Sequence, residues 1–477
     1  MTNCLSYPSK ISVIFTDSIP LFAVFFKVFR NILPEQFQYF GLWGLVCFML
    51  QSFFSAKIMD KLVKKRFIAF VCAVAFSFSP VLIMRMYYHT ALAGHWIILL
   101  AIDNFFSSGV YSKKTVVFWT ILGALCPFVH FFFFGICAIV LCGFCVKIVI
   151  NCRDARFAFL CCIGYLSGCI VATAVLGGFS CSGLVSASES GLGEYSMNLN
   201  AFLNPQGWSV FFNTLPYNEP QGEGFAYVGA GFLFLIVVAA VLVFQSDCVM
   251  RKYLENKAGV VSVAVVFALA FIAAASNVIT INDRTLFSIP IPFPIERLWS
   301  VFRSSGRFSW ICVYLLMIFS VVFVVETSKT KFAVVAVFLA LVIQFVDIRP
   351  QLAVRRTRFS SKISYVPPVT DEKKWKVLAK KSGWKYLYLS EQVEKTVLYD
   401  FSQFCLYNGK AMNRFYFAHG KNEIIERNFK EALAKKDENA LFVFPASDEN
   451  VNMEKEMYLC RIGAYMIGSF KDSGVFD

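Results

Sequence analysis

A chain of 477 residues that is 57% hydrophobic, 17% aromatic and only 16% charged has too little charge for a soluble domain, where about a quarter of residues are charged. Its apolar residues come in continuous runs of about 20, the length that crosses a bilayer as a helix, without the in-out alternation of a membrane β-barrel. The net charge of +14 does not argue for nucleic acid as a partner: Lys and Arg gather in alternate loops and in the tail, and no basic stripe interleaved with aromatics stands out.

Residues 1–36 open on a polar stretch, with neither the charged start nor the apolar core of a secretory signal. Ile19 to Phe29 is apolar but too short to span, and is broken by Lys27. It predicts an external interfacial or re-entrant helix, with Pro20 in its first turn and Asp17-Ser18 as its N-cap. Ten spans then make a transmembrane bundle over 37–347, at 37–57, 67–87, 91–109, 115–129, 131–150, 155–178, 226–246, 258–278, 309–326 and 331–347. Basic residues fall in every second loop: Lys57 to Arg66, Lys113-Lys114, Lys147 to Arg156, Arg251 to Lys257, and Lys329 with Lys331. Such loops are cytoplasmic. The long loop 179–225 lies on the other face and holds no Lys or Arg. The expected external set is therefore the N-terminus, Arg85–His95, His130, loop 179–225, loop 279–308 and the tail.

The tail, 348–477, reads as a small extracytoplasmic α/β domain. Helical patterns at Lys373–Ser382 and Asn422–Lys435 alternate with strand patterns at Lys385–Leu389, Phe415–Phe417 and Leu441–Phe444, which predicts a parallel sheet. No glycine-rich phosphate loop follows a strand. Most of the 16 cysteines sit in apolar runs as packing residues; Cys405 and Cys460 are the candidate disulfide of the tail.

Unusual residues collect on the expected external face. Arg85, His89 and His95 lie at the ends of spans two and three, and Arg297, Arg303 and Arg307 precede the ninth. Arg303 and Arg307 are four apart, on one face if helical. Guanidinium groups grip phosphate bidentately, and imidazoles donate to the same oxygens. Arg85, His89, His95, Arg303 and Arg307 are thus the candidate phosphate-binding set, with Arg85 and Arg307 expected to converge on one cavity. The blander reading is snorkelling, or ion pairs with Glu296 and Asp283. Loop 179–225 offers Tyr195, Asn198 and Glu223 for sugar contacts, or else forms an ordinary cap. Asp17 is either a catalytic carboxylate or merely a helix cap. His130 reads as a helix-turn residue. His89 and His95 are six apart, a poor spacing for a metal on one helix face.

Several segments together carry a resemblance: Thr16 to Pro20, Phe37 to Trp43, Arg85 to Trp96, Tyr195 to Asn200, Asn204-Pro205, Glu223 to Phe225 and Phe302 to Phe308. Over about residues 8–347 the chain resembles a bacterial membrane-protein family of unknown function that is similar to GT-C glycosyltransferases. The resemblance implies a GT-C-like, all-α polytopic bundle in the bacterial inner membrane, with a sugar moved from a polyprenyl-phosphate donor to a glycan or other envelope acceptor outside. It also implies a first span and an acidic catalytic loop, in which this sequence begins; the expectation is a truncated or inactive member, with Asp17 as the remaining candidate acid. The chemistry asks for cationic donors on the departing phosphate and a carboxylate to deprotonate the acceptor. The alternative is a non-catalytic carrier or transporter of lipid-linked glycans.

Overall fold

The computed structural model describes residues 2–34, 37–107, 112–180, 192–246, 255–360, 366–381, 383–415, 422–447 and 456–472. They form two compact units. One is Asp17–Thr173 with Ser188–Ser361; the other is Met1–Thr16 with Ala174–Ala187 and Lys362–Asp477. Residues 1–16 thus go with the tail and not with 17–36, and the tail unit begins at 362 where the sequence suggested 348.

The larger unit opens with α1 (Pro20–Lys27). The expected cap is not made: Ile19 is the N-cap, in the left-handed region at φ 49°, and no side chain bonds the first turn. Asp17 bonds His89 instead. One face of α1 rests on the bundle, where Phe22 meets Trp43 edge-on at 5.3 Å. Val24, Phe25, Val28 and Phe29 are exposed, as in a helix that lies along a bilayer surface.

Next come α2 (Phe40–Val63), α3 (Arg66–Ser77), α4 (Pro80–Met86), α5 (Trp96–Phe105), α6 (Lys113–Val129), α7 (Phe132–Cys152) and α8 (Ala155–Val175). After the long loop follow α9 (Ala230–Phe244), α10 (Lys257–Ala275), α11 (Phe293–Trp299), α12 (Ser309–Thr327) and α13 (Thr330–Ser360). The second predicted span is two helices bent by 45°. Pro80 is the cause: it forces Ser79 out of the helical region, to ψ 124°. A capping box of Ser112 and Thr115 starts α6.

Each of the ten predicted spans is met by helix, but among the described residues six helices are long and apolar enough to cross a bilayer, or seven if the bent pair counts as one. That is consistent with a membrane protein. The third predicted span shrinks to the ten residues of α5. Its last carbonyls take lysines from neighbours, Lys61 Nζ to Asp103 O at 2.8 Å and Lys147 Nζ to Phe105 O at 2.7 Å. Cations there suit the negative end of the helix dipole. The centre of the bundle is α12: its apolar window is 78% buried, against 39–44% for the other five.

A hairpin that no local pattern predicted pairs β1 (Val278–Ile281) with β2 (Arg284–Ser288). Asn282 takes the positive φ its turn needs.

The smaller unit holds α14 (Lys373–Lys381), α15 (Leu398–Tyr407), α16 (Asn422–Ala434) and a five-stranded sheet. Its strands are β3 (Tyr386–Leu389), β4 (Ala411–Met412), β5 (Ala440–Pro445), β6 (Tyr458–Ile462) and β7 (Tyr465–Ser469), in the order β4-β3-β5-β7-β6. The sheet is mixed, not parallel: β4, β3 and β5 run together, and β7 and β6 return as an antiparallel hairpin. The strand expected at Phe415–Phe417 falls instead at Ala411–Met412; Tyr416 and Phe417 lie outside the described residues. Cys405 and Cys460 are both free thiols.

The open edge of β4 is covered by the N-terminus. Met412 N donates to Cys4 O at 2.8 Å and Tyr7 N to Met412 O at 2.9 Å. Tyr7 stacks on Tyr386 at 3.8 Å, and Asn428 Nδ2 donates to Ser9 Oγ at 3.1 Å. This strap protects a strand edge that would otherwise invite pairing with another chain. Further on, Ser12 Oγ donates to Leu176 O at 2.6 Å.

Candidate functional site

Two glycines build the site. Gly224 and Gly306 cross so closely that a Cβ on Gly306 would lie 2.5 Å from Gly224 Cα and 3.0 Å from Tyr195 O. Gly306 N donates to that same Tyr195 carbonyl at 3.0 Å. Only residues without a side chain let two backbones approach this way. The crossing sets the flanking residues, Glu223 and Arg307, against each other.

Glu223 is the hub. Its Oε2 lies 2.9 Å from Arg85 Nη2 and 2.8 Å from Arg307 Nη2. Arg307 Nε also donates to Oε2 at 3.2 Å, and Arg85 Nη2 donates to the Glu223 carbonyl at 2.8 Å. Arg85 is 1% exposed, Arg307 12% and Glu223 18%. The turn after α4 then presents His89. Its Nδ1 is 2.8 Å from Asp17 Oδ2, and its Nε2 is 4.0 Å from Glu223 Oε1. His130, between α6 and α7, accepts from Phe132 N through Nδ1 and brings Nε2 to 3.8 Å from Asp17 Oδ1. Two guanidiniums, two carboxylates and two imidazoles thus form one network. Asp17 and His89 are its open side, 48% and 37% exposed.

Arg85, His89, Arg307, Glu223 and Asp17 come together from the predicted set. Arg85 and Arg307 share a single carboxylate oxygen, so the two side chains meet, on an anion of the chain itself. Their partner is Glu223 and not Glu296 or Asp283. His95 lies elsewhere: it is fully buried, with Nδ1 2.7 Å from Tyr314 Oη and its ring 4.3 Å from Trp310. Tyr314 Oη in turn accepts from Gln51 Nε2 at 3.0 Å. Arg303 stacks over Tyr195 at 5.5 Å, outside the network; the Arg297 side chain lies outside the described residues. Asn198 is spent on the fold. Its Nδ2 donates to Gln221 Oε1 at 3.0 Å and Asn282 O at 2.7 Å, and its Oδ1 accepts from Asn200 N and Asn282 N. That knot fastens the long loop to the β1–β2 hairpin and leaves the amide no free valence for a sugar. His130 is the member that sequence reasoning set aside; its local signal was only a break between two apolar runs. Among the described residues no group of three His, Cys, Asp or Glu side chains could hold a metal.

Burial opposes the charge on Glu223, but Arg85 and then Arg307 outweigh it and hold the carboxyl at about 2, against an ordinary 4.5. Burial likewise opposes ionisation of Asp17; the hydrogen bond from His89 and the charges of His130, His89 and Arg307 bring it below its usual value. Both are carboxylates at neutral pH. A depressed acid stabilises the fold above its unfolded pKa, and the contribution fades as pH falls toward the folded value. For Glu223 that window runs from about 4.5 down to about 2, with about 3 kcal/mol at stake. Unfolding midpoints of the wild type should therefore fall steeply below pH 4.5, and those of Glu223→Gln should fall less. Parallel slopes in the two proteins would remove Glu223 as the hub.

The class these observations define is a mostly helical protein with several helices fit to cross a membrane and a buried ionic network among the turns that join them. The chain belongs to the family described as a domain of unknown function, DUF6311, whose model matches residues 1–349. That span contains every residue of the network. No curated protein and no solved structure matches the chain.

Proposed function

We propose that the chain is a GT-C-like glycosyltransferase of the bacterial inner membrane, which moves a sugar from a polyprenyl-phosphate donor to an extracytoplasmic acceptor. The observation that carries the reading is the meeting of Arg85, Arg307 and His89 on Glu223 with Asp17 alongside. Glu223 stands where a phosphate oxygen would be held between two guanidiniums. Arg307, the less buried of the two, is the arm that turns to a donor phosphate and stabilises the charge growing on it as the glycosidic bond breaks. Glu223, held at about 2, is too weak a base to take a proton near neutral pH; it orients the cations. The pairing of Asp17 with His89 makes that imidazole the base for the acceptor hydroxyl, with the carboxylate steadying its tautomer.

The smaller unit supports the expected topology. Residues 1–16, 174–187 and 362–477 belong to one compact unit, so in a chain that crosses a bilayer all three lie on one side. Crossings are then even in number both over 17–173 and over 188–361. Six long helices divide three and three; evenness draws in the α3–α4 pair and α9, and α5 with α6 bring the total to ten.

The carrier reading keeps one observation in its favour, the buried line Gln51–Tyr314–His95 within the bundle, since transporters place polar groups inside their spans. One assay separates the two. Full-length protein in liposomes is given polyprenyl-phosphate hexose together with an envelope glycan fraction as acceptor, and release of polyprenyl phosphate with transfer of the hexose to the glycan is measured. The wild type should release it, Arg307→Ala about tenfold or more slowly, and Arg307→Lys at an intermediate rate because the bidentate fork is lost. Movement of intact donor across the bilayer without release would replace this reading with the carrier.

A further inference from the structure

The outward stripe of α13 changes chemistry partway along. Val335, Phe338, Val342 and Phe345 recur at helical spacing and are exposed, while Ala336, Ala340, Gln344 and Asp347 face inward and are buried. The exposed stripe continues, four and then seven residues on, as Arg349 and Arg356. Lys331 marks its other end. From Lys331 to Arg349 is about 27 Å along the helix, close to the roughly 30 Å hydrocarbon thickness of a bilayer. Arg349 therefore sits at headgroup level, and Arg356 about 10 Å beyond it.

One neighbouring cation, Arg355, is already engaged. Arg355 donates to Gln351 through Nη1 and lies 4.2 Å over the Trp208 ring. Arg349 and Arg356 have no hydrogen bond or ion pair among the described residues and are exposed. Beside them runs part of the long loop, fastened by Val210 N to Asp347 O at 3.0 Å and Gln351 Nε2 to Gly207 O at 2.8 Å. That loop offers Phe211 and Phe212, both exposed.

We propose that this corner of the molecule is a seat for an anionic phospholipid. The phosphate lies on Arg349 and Arg356, and an acyl chain follows Phe345, Val342 and Phe338, with Phe211 and Phe212 at the level where aromatic rings meet headgroups. Arg, with its planar fork, suits a phosphodiester better than Lys. The seat shares no residue with the Glu223 network.

The test uses full-length protein in detergent, titrated with phosphatidylglycerol or phosphatidylcholine, with lipid-bound states counted by native mass spectrometry. The wild type binds its first phosphatidylglycerol more tightly than phosphatidylcholine. The double variant Arg349→Gln, Arg356→Gln binds phosphatidylglycerol about 30-fold more weakly, at about 1 kcal/mol per Arg beside an anionic headgroup, with phosphatidylcholine unchanged. Lys at both positions keeps most of the preference, which separates loss of charge from misfolding. A control, Lys113→Gln with Lys114→Gln, removes two exposed lysines from the start of α6 and leaves the preference intact. Wild-type affinity in the Arg349→Gln, Arg356→Gln protein would overturn the proposal, as would an equal loss in the Lys113→Gln, Lys114→Gln control.

Discussion

Glu223→Ala should destabilise the protein by about 3–5 kcal/mol, the cost of leaving a buried charge without its partner. Arg85 is 1% exposed and Arg307 12%, and both lean on the same Oε2. Without it, two guanidiniums face each other across a nearly dry gap. The measurement is unfolding of the detergent-solubilised chain followed by tryptophan fluorescence. Removing Arg85 together with Glu223 should recover part of the loss, because one cation then leaves with the anion. A Glu223→Ala protein as stable as the wild type would mean that water reaches the pair and screens it.

The second large effect belongs to Gly306→Ala. The new methyl would lie 2.5 Å from Gly224 Cα, and main chain cannot rotate aside as a side chain can. Overpacking of this kind costs about 1–3 kcal/mol. It also pries apart the crossing that holds Arg307 to Glu223. Two readouts should move together: the unfolding midpoint falls, and the steep acid dependence below pH 4.5 flattens toward that of Glu223→Gln. A lower midpoint with the acid dependence intact would place the strain elsewhere and leave the ionic network closed.

Much of the architecture was legible because bilayer physics writes it in long, crude strokes. Continuous apolar runs, basic alternate loops and a short amphipathic start gave the helical bundle and α1. The convergence of Arg85 and Arg307 was legible too, since Arg is scarce in those turns. The identity of their partner was not. Nothing in Gln221 to Phe225 distinguishes Glu223 from Asp283 or Glu296; the choice is made by a glycine-on-glycine crossing between segments more than 80 residues apart. His95 looked like part of the polar turn because it is close in sequence, but the start of α5 carries it inward to Tyr314. Asn198 was a candidate for sugar contacts because loops usually run over the surface. In the tail, β6 and β7 went unread: Tyr458 to Ile462 contains Cys and Arg among its apolar residues, and no local pattern states a strand's direction. The strap of residues 2–11 was illegible in principle, because its partner strand stands about 400 residues later.

That distance sets an order of events during synthesis. A ribosome adds about 5–20 residues each second, so Tyr7 waits roughly 20–80 s before Met412 exists to receive it. Until then the strap has no strand to join, and the helices of the larger unit are made between the strap and the sheet whose edge it covers. A later stretch of the chain therefore completes a structure begun by an earlier one. A nascent protein that stalls or is cut before β4 would carry its helices and lack the strand that fastens residues 2–11.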